Sequence, residues 1–293
     1  MRCKGERALV VVCAAACGAW IGCFDFGSVS NGTSTNDGGS EGSTSSDGGG
    51  ATEAAAGSFC ASVTPTPTFC NDFDESNAQG AWDQIPVDQG CAVSIDTTMP
   101  FAGAGSMLTQ TPTADAGVAL EADGIKQFTA FQDKAIKISA SFEMNVLAFD
   151  PSMTGQIIVF EIIFKNSPAM FNQIVVNLNS LGAGAGVTAQ IAENATGADG
   201  GPTGYNSYPF NAHPPTNTWT KVDVDLVIPS PNNATSNVIS VTVDGTPQIT
   251  QQALGVPLQG GSPYAHLGIG YVHVPAGPWK VEYDNFVVTM STL

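Results

Sequence analysis

The sequence predicts an all-β sandwich, and three observations carry that expectation. Apolar and polar residues alternate with a period of two in segment after segment, Pro and Gly fall between those segments as turn punctuation, and helical periodicity is scarce. About eleven or twelve short strands without intervening helices pack as a sandwich or barrel, because each half-apolar sheet must bury its face against another.

The longest alternating run is Ile136 to Val146. Ile136, Ile138, Ala140, Phe142, Met144 and Val146 share one face, and Lys137, Ser139, Ser141, Glu143 and Asn145 share the other. Ile174, Val176 and Leu178 alternate with Val175 and Asn177, and Val222, Val224, Leu226 and Ile228 with Lys221, Asp223 and Asp225. Ile239, Val241 and Val243 lead into Asp244-Gly245, a strong hairpin signal. Gln156 to Phe164 is apolar on both faces apart from Gln156 and Glu161, which predicts a central strand. Ser76 to Asp83 accommodates one helical turn.

The N-terminus reads differently. Arg2, Lys4 and Arg7 precede an uncharged apolar run from Ala8 to Gly22, the pattern of a secretory signal. The run is shorter than the roughly 20 residues a spanning helix wants. Trp20-Ile21-Gly22-Cys23 resembles a bacterial lipobox, in which the cysteine is lipidated and becomes the new N-terminus. Ala14-Ala15-Ala16-Cys17 also fits, but cutting there would leave Ala19-Trp20-Ile21 on the mature chain, so Cys23 is preferred. Neither site has the usual Leu three positions before the cysteine, which leaves plain secretion as the alternative. The expected division is a signal peptide over 1–23, a disordered linker over 24–59 and one β-sandwich domain over 60–293. Within the linker, 21 of the 32 residues from Gly27 to Ser58 are Gly, Ser or Thr, too few apolar groups to offset ordering entropy. The resemblance implies a lipid-anchored protein of the bacterial envelope, and Phe24 after Cys23 leans towards the outer membrane.

The formal net charge is −17. After Cys23 there are 25 Asp and Glu against six Lys, which argues against nucleic acid and other polyanions as partners and suits neutral ligands or cations. Cys60, Cys70 and Cys91 follow Cys23, an odd number, so one thiol is left over from any exported disulfide framework. The Thr- and Pro-rich loop between Cys60 and Cys70 favours that pair, with Cys70–Cys91 as the alternative. Their spacing offers too few ligands for a metal site.

Three places resemble the concanavalin A-like lectin/glucanase superfamily, which includes laminin-G-like domains. Phe69-Cys70-Asn71-Asp72-Phe73-Asp74 followed by Trp82 resembles the opening strand. Trp219 to Val222 and then Val241 to Gly245 resemble the internal hairpin. Leu267 to Gly270 and Val281 to Val288 resemble the closing strand, which in the family returns beside the first. The resemblance spans about Cys60 to Thr289 and implies a jelly roll of two antiparallel sheets, many of whose members bind or cut glycans. It also implies a structural calcium near the joined terminal strands, where Asp72, Asp74 and Asp284 fall; no other cofactor is expected.

The family's retaining glucanases carry an E-x-D-x-x-E strand, which this sequence lacks. Glu143 and Glu161 stand alone on neighbouring expected strands and would serve retaining hydrolysis only as a cross-strand pair about 5–5.5 Å apart. Glu161 needs a partner, since an unpaired charge in so apolar a strand is costly. His266 and His273, seven apart, face opposite ways on a regular strand, and His213 sits in a loop. The stretch from Asn194 to Pro215 reads as a long loop offering Tyr205, Asn206, Tyr208 and Phe210 for stacking on sugar rings and bonding hydroxyls. The leading expectation is a non-catalytic, surface-anchored glycan-binding or adhesion module. The alternatives are a divergent glycoside hydrolase or polysaccharide lyase, and a structural envelope lipoprotein.

Overall fold

The computed structural model describes residues 59–293 except 76, 115–119, 166–170, 183, 185, 198–201, 231–235, 259, 274 and 275. Cys17, Cys23 and nearly all of the expected linker lie outside the described residues.

Among the described residues, fourteen strands run in chain order. The first seven are β1 (Phe69–Asn71), β2 (Ala92–Asp96), β3 (Ser106–Thr111), β4 (Ala122–Gln127), β5 (Ile136–Ala148), β6 (Thr154–Lys165) and β7 (Phe171–Leu181). The rest are β8 (Val187–Thr196), β9 (Pro202–Pro209), β10 (Thr220–Ile228), β11 (Val238–Val243), β12 (Thr246–Ala253), β13 (Ser262–His273) and β14 (Trp279–Thr292). The expected helical turn near residue 80 is a 3-10 turn over Ala78–Ala81.

These strands form two antiparallel sheets. One has eight strands in the order β12-β11-β10-β5-β14-β3-β2, with β1 also on β14. The other has six, in the order β4-β13-β6-β7-β8-β9. The closing strand does return beside the first: Phe69 pairs with Val288 and Asn71 with Phe286. Asp244 and Gly245 turn the β11–β12 hairpin, both with positive φ, as a type I′ turn requires.

The alternation read from the sequence decides what lies between the sheets. Phe142 and Met144 of β5, Val224 and Leu226 of β10 and Tyr283 of β14 face Phe160 and Ile162 of β6, Val176 of β7 and Leu267 of β13. Phe142 and Phe160 meet across the gap with ring centroids 5.2 Å apart. Each such side chain contributes about 1.5–3 kcal/mol on burial. The opening motif is tied into this core, since Trp82 stacks on Phe286 at 5.6 Å and Phe69 meets Trp82 edge-on at 5.1 Å. A disulfide joins Cys60 to Cys70, and Cys91 remains a half-buried free thiol.

Two irregularities shape the six-stranded sheet. β6 is bulged between Ile158 and Phe160, so Val159 turns inwards and Glu161 faces out. β13 is bulged between Leu267 and Tyr271. There Gly268 has φ 128°, and a Cβ on it would lie 2.6 Å from the Asp123 Cα. Glycine is needed for both reasons, and it lets β13 press against β4 beside Asp123.

Candidate functional site

The outer face of the six-stranded sheet carries rows of side chains set by strand register. One row runs Tyr205, Asn194, Gln173, Ile163, Tyr264, Gln127 from β9 to β4. The next runs Ser207, Ala192, Val175, Glu161, His266, Ile125. A third contains Gln190, Asn177, Ile158 and Tyr271. Ile158, Val175 and Ala192 are buried and pack with Tyr271 into a small apolar floor separate from the main core. Tyr205 is 52% exposed. It lies four strands from Tyr264, about 19 Å at ordinary strand spacing. Towards the start of β6 the face opens into a pocket of about 550 Å³ bordered by Thr154, Gln156, Asn179, Thr188 and Gln190.

An ionisable cluster lies on the β4 side of this face. His266 Nδ1 is 3.0 Å from Asp123 Oδ2 and 3.1 Å from Glu161 Oε1, with all three residues buried. Glu121 lies within hydrogen-bonding reach of the Asp123 carboxyl. Burial, then repulsion from Asp123 and Asp88, pushes Glu121 up to about 8. Burial raises Asp123 well above the usual carboxylate range. Glu161 is pushed up to about 7 by burial, against the pull of His266, and burial lowers His266 to about 4. Burial thus favours the uncharged imidazole and the protonated form of the carboxyls.

The sequence-derived candidates fare unevenly. Glu143 and Glu161 do not form a pair: β5 belongs to the eight-stranded sheet and β6 to the six-stranded one, and both side chains face outwards, with the core between them. Glu143 is buried between Lys221 and Asp284 on the neighbouring strands, and burial pushes it up to about 7. Glu161 does have the partner its apolar strand demanded, in His266.

The stretch from Asn194 to Pro215 is mostly not a loop, because β9 occupies its centre. Tyr205 is on the outer face, as a ligand contact requires. Phe210 is buried in the main core. Asn206 and Tyr208 face inwards, where Glu193 accepts hydrogen bonds from Asn206 Nδ2 at 2.9 Å and Tyr208 Oη at 2.6 Å. Glu193 also accepts from the Gly255 and Val256 backbone N–H groups, so these side chains brace β9 on the loop after β12.

Asp72, Asp74 and Asp284 sit near the terminal strands but are bonded separately. Asp72 accepts from Cys60 N–H, Asp74 from Ala104 and Gly105 N–H, and Asp284 from Ala102 N–H. Among the described residues, the group of three whose donor atoms converge within 4.8 Å is Glu121, Asp123 and His266. The bulge in β13 means that counting alternation from His266 to His273 does not hold, and His213 is exposed in its loop. Tyr264, Tyr271, Gln173 and Asn177 escaped the sequence reading. Gln173, Asn177 and Asn179 mark the polar positions of β7, while the two tyrosines lie on β13.

No protein-family model and no curated protein matches the sequence. Among solved structures, the chain is similar to an endo-β-1,4-glucuronan lyase from the fungus Trichoderma reesei, with TM-score 0.55, 14% identity, and coverage of 76% of this chain and 95% of that one. It also aligns with the cellulose-induced protein Cip1 at TM-score 0.47 and 13% identity, over 77% and 97% of the two chains. An alginate lyase bound to an alginate trisaccharide aligns at TM-score 0.46 and 12% identity, over 71% and 95%. At this identity the first of these likenesses establishes the fold alone, a jelly-roll sandwich of two antiparallel sheets.

Proposed function

We propose that the domain binds a polysaccharide along the outer face of its six-stranded sheet without cutting it. The observation that carries this reading is the row from Tyr205 to Tyr264. It puts an exposed ring at one end, a half-buried ring at the other, and between them the half-buried amide of Asn194 and the buried amide of Gln173, beside an apolar floor. Stacking rings hold sugar faces, and amides exchange hydrogen bonds with hydroxyls in both directions. The similarity in fold to a glucuronan lyase supports a glycan ligand of some kind.

Two features favour binding over cleavage. His266 is buried, its Nδ1 faces Asp123 and Glu161, and its Nε2 is sealed from solvent, so it does not reach a substrate proton. No arginine follows Arg7, and among the described lysines Lys165 is the one on this face, which leaves little to neutralise a uronate carboxylate. A lyase remains the second reading, favoured by the half-buried Tyr271 beside the apolar floor, a side chain able to exchange a proton with a bound sugar.

We place the domain at the outside of a bacterial cell through lipidated Cys23, a reading supported by the residues around that cysteine. Release of a Cys23→Ala variant from the membrane fraction tests it. The binding proposal is tested on a glycan array with and without calcium. Tyr205→Ala and Tyr264→Ala should each weaken a hit by roughly 3- to 10-fold, the worth of one stacking contact. Shorter products after incubation would support the lyase reading instead.

A further inference from the structure

We infer that Glu121, Asp123 and His266, with Glu161 beside them, form a binding site for one divalent transition cation of the Zn²⁺ or Mn²⁺ class. This goes beyond the glycan reading and does not depend on it. The residues come from three adjacent strands or their ends: Glu121 and Asp123 at the start of β4, His266 on β13 and Glu161 on β6. Donor atoms of the first three lie within 4.8 Å of one another. A cation held at about 2.0–2.2 Å by each donor sets those donors roughly 3–4 Å apart. His266 Nδ1 already stands 3.0 Å from Asp123 Oδ2 and 3.1 Å from Glu161 Oε1, so Glu121 is the ligand that must swing inwards.

A second observation is independent of that convergence. Asp123 is completely buried, and its Oδ1 has no hydrogen-bond donor. Buried acceptors are almost always satisfied, and this one has only another carboxyl, Glu121, in reach. Two carboxylates facing each other need a proton or a cation between them. Lys165 acts on the cluster from a distance and does not stand between these carboxyls: its ammonium sits over the Tyr264 ring, 5.0 Å from the centroid. His266 Nε2 is likewise buried without a partner, so the imidazole is not fixed by a hydrogen bond on its other side.

Gly270 leaves room. A Cβ there would lie 3.3 Å from Glu161 Oε1 and 3.4 Å from Asp123 Oδ2, over the oxygens that would hold the ion. The donor set selects the class, because an imidazole nitrogen among carboxylates suits Zn²⁺ and Mn²⁺ better than Ca²⁺ or Mg²⁺, which take oxygen.

The test uses the full chain, stripped with a chelator and titrated by calorimetry with zinc, manganese and calcium chlorides in separate runs, with thermal unfolding read in parallel. One equivalent of Zn²⁺ or Mn²⁺ should bind with a micromolar or tighter Kd and raise Tm, and Ca²⁺ should bind at least about tenfold more weakly. Manganese guards against capture of zinc by the cysteine thiols, for which it has little affinity. Asp123→Asn and His266→Gln should each weaken binding by about 100-fold or more. Apo Asp123→Asn, relieved of an unmatched buried acid, should unfold at the same temperature as apo wild type or higher, which separates loss of the site from loss of the fold. The inference is overturned if the wild type binds neither transition cation, if both variants bind as the wild type does, or if Ca²⁺ binds more tightly than either. An absence of binding would make a shared proton the occupant of the cluster.

Discussion

Replacing Glu143 by Gln should stabilise the protein more at pH 8 than at pH 5. Glu143 sits on the outer face of the eight-stranded sheet, opposite Lys221 on β10 and Asp284 on β14. Its carboxyl is pushed up to about 7 from an ordinary value near 4.5, first by burial and then by Asp244, Asp223 and Asp284, with Lys221 pulling the other way. The folded state thus holds this proton more tightly than the unfolded chain does. The stabilisation from that proton is complete below about pH 4.5 and is lost as pH rises through about 7. At full strength the rise is worth about 3 kcal/mol against the charged form. Because Lys221 and Asp223 reach solvent, screening reduces this to about 1–2 kcal/mol. Asp284 and Glu282 are also pushed up to about 7, each mainly by burial, so the whole sheet face adds to the same slope.

Urea or thermal unfolding of wild type and Glu143→Gln at pH 5 and pH 8, at one ionic strength, reads the difference. The variant should gain about 1–2 kcal/mol at pH 8, or roughly 3–6 °C in Tm for a domain of this size, and distinctly less at pH 5. Equal gains at both pH values, or a loss at pH 8, would refute burial of the carboxylate as the cause. Glycan binding should be untouched, because β5 lies in the sheet opposite the proposed site. A variant that folds but no longer binds would move that site to the other face.

Two further outcomes follow from the bracing of the domain. Glu193→Ala leaves the Gly255 and Val256 N–H groups, Asn206 and Tyr208 without their shared acceptor, and should cost at least about 3 kcal/mol in urea unfolding. It should also weaken any glycan hit more than Tyr205→Ala does, since β9 loses its support; equal or smaller weakening would mean β9 is held by its pairing with β8 alone. Cys60→Ser removes a bridge closing a loop with sequence separation 10, and should lower stability by about 3 kcal/mol. Reductant should reproduce that loss in the wild type, and no change on reduction would rule the bridge out as a support.

The sequence made some of this architecture legible and hid the rest for physical reasons. β5, β10 and β11 were readable because each buries one face and wets the other, so alternation marks both the strand and its inward side. β9 was read as a loop because its inward positions are Asn206 and Tyr208, which bond to Glu193. A strand anchored by polar groups shows no hydrophobic alternation. Glu143 and Glu161 looked adjacent because consecutive strands usually pair. Here the chain crosses from one sheet to the other after β5, and nothing in residues 149–153 distinguishes that crossing from a hairpin turn. The cluster of Asp123, Glu161 and His266 depends on the order β4-β13-β6, which joins residues far apart in sequence. Only Glu161, a lone charge in an apolar strand, signalled that some partner had to exist.

What separates the two outer faces is their chemistry, and that difference argues for the kind of ligand. The eight-stranded face carries charge, with Lys221 paired to Asp223, Lys137 to Asp225, and the buried carboxyls of Glu143, Glu282 and Asp284 beneath. The six-stranded face carries amides, rings and an apolar floor, which water satisfies less well and a hydroxyl-rich polymer satisfies better. A chain with net charge −17 and no arginine after Arg7 repels polyanions over its whole surface, and its amide face adds no local counter-field beyond Lys165. Neutral polysaccharides should therefore bind in preference to uronate polymers. A divalent cation among Glu121, Asp123 and His266 would be the one change at this face to narrow that preference, so the array and the metal titration inform each other without either standing in for the other.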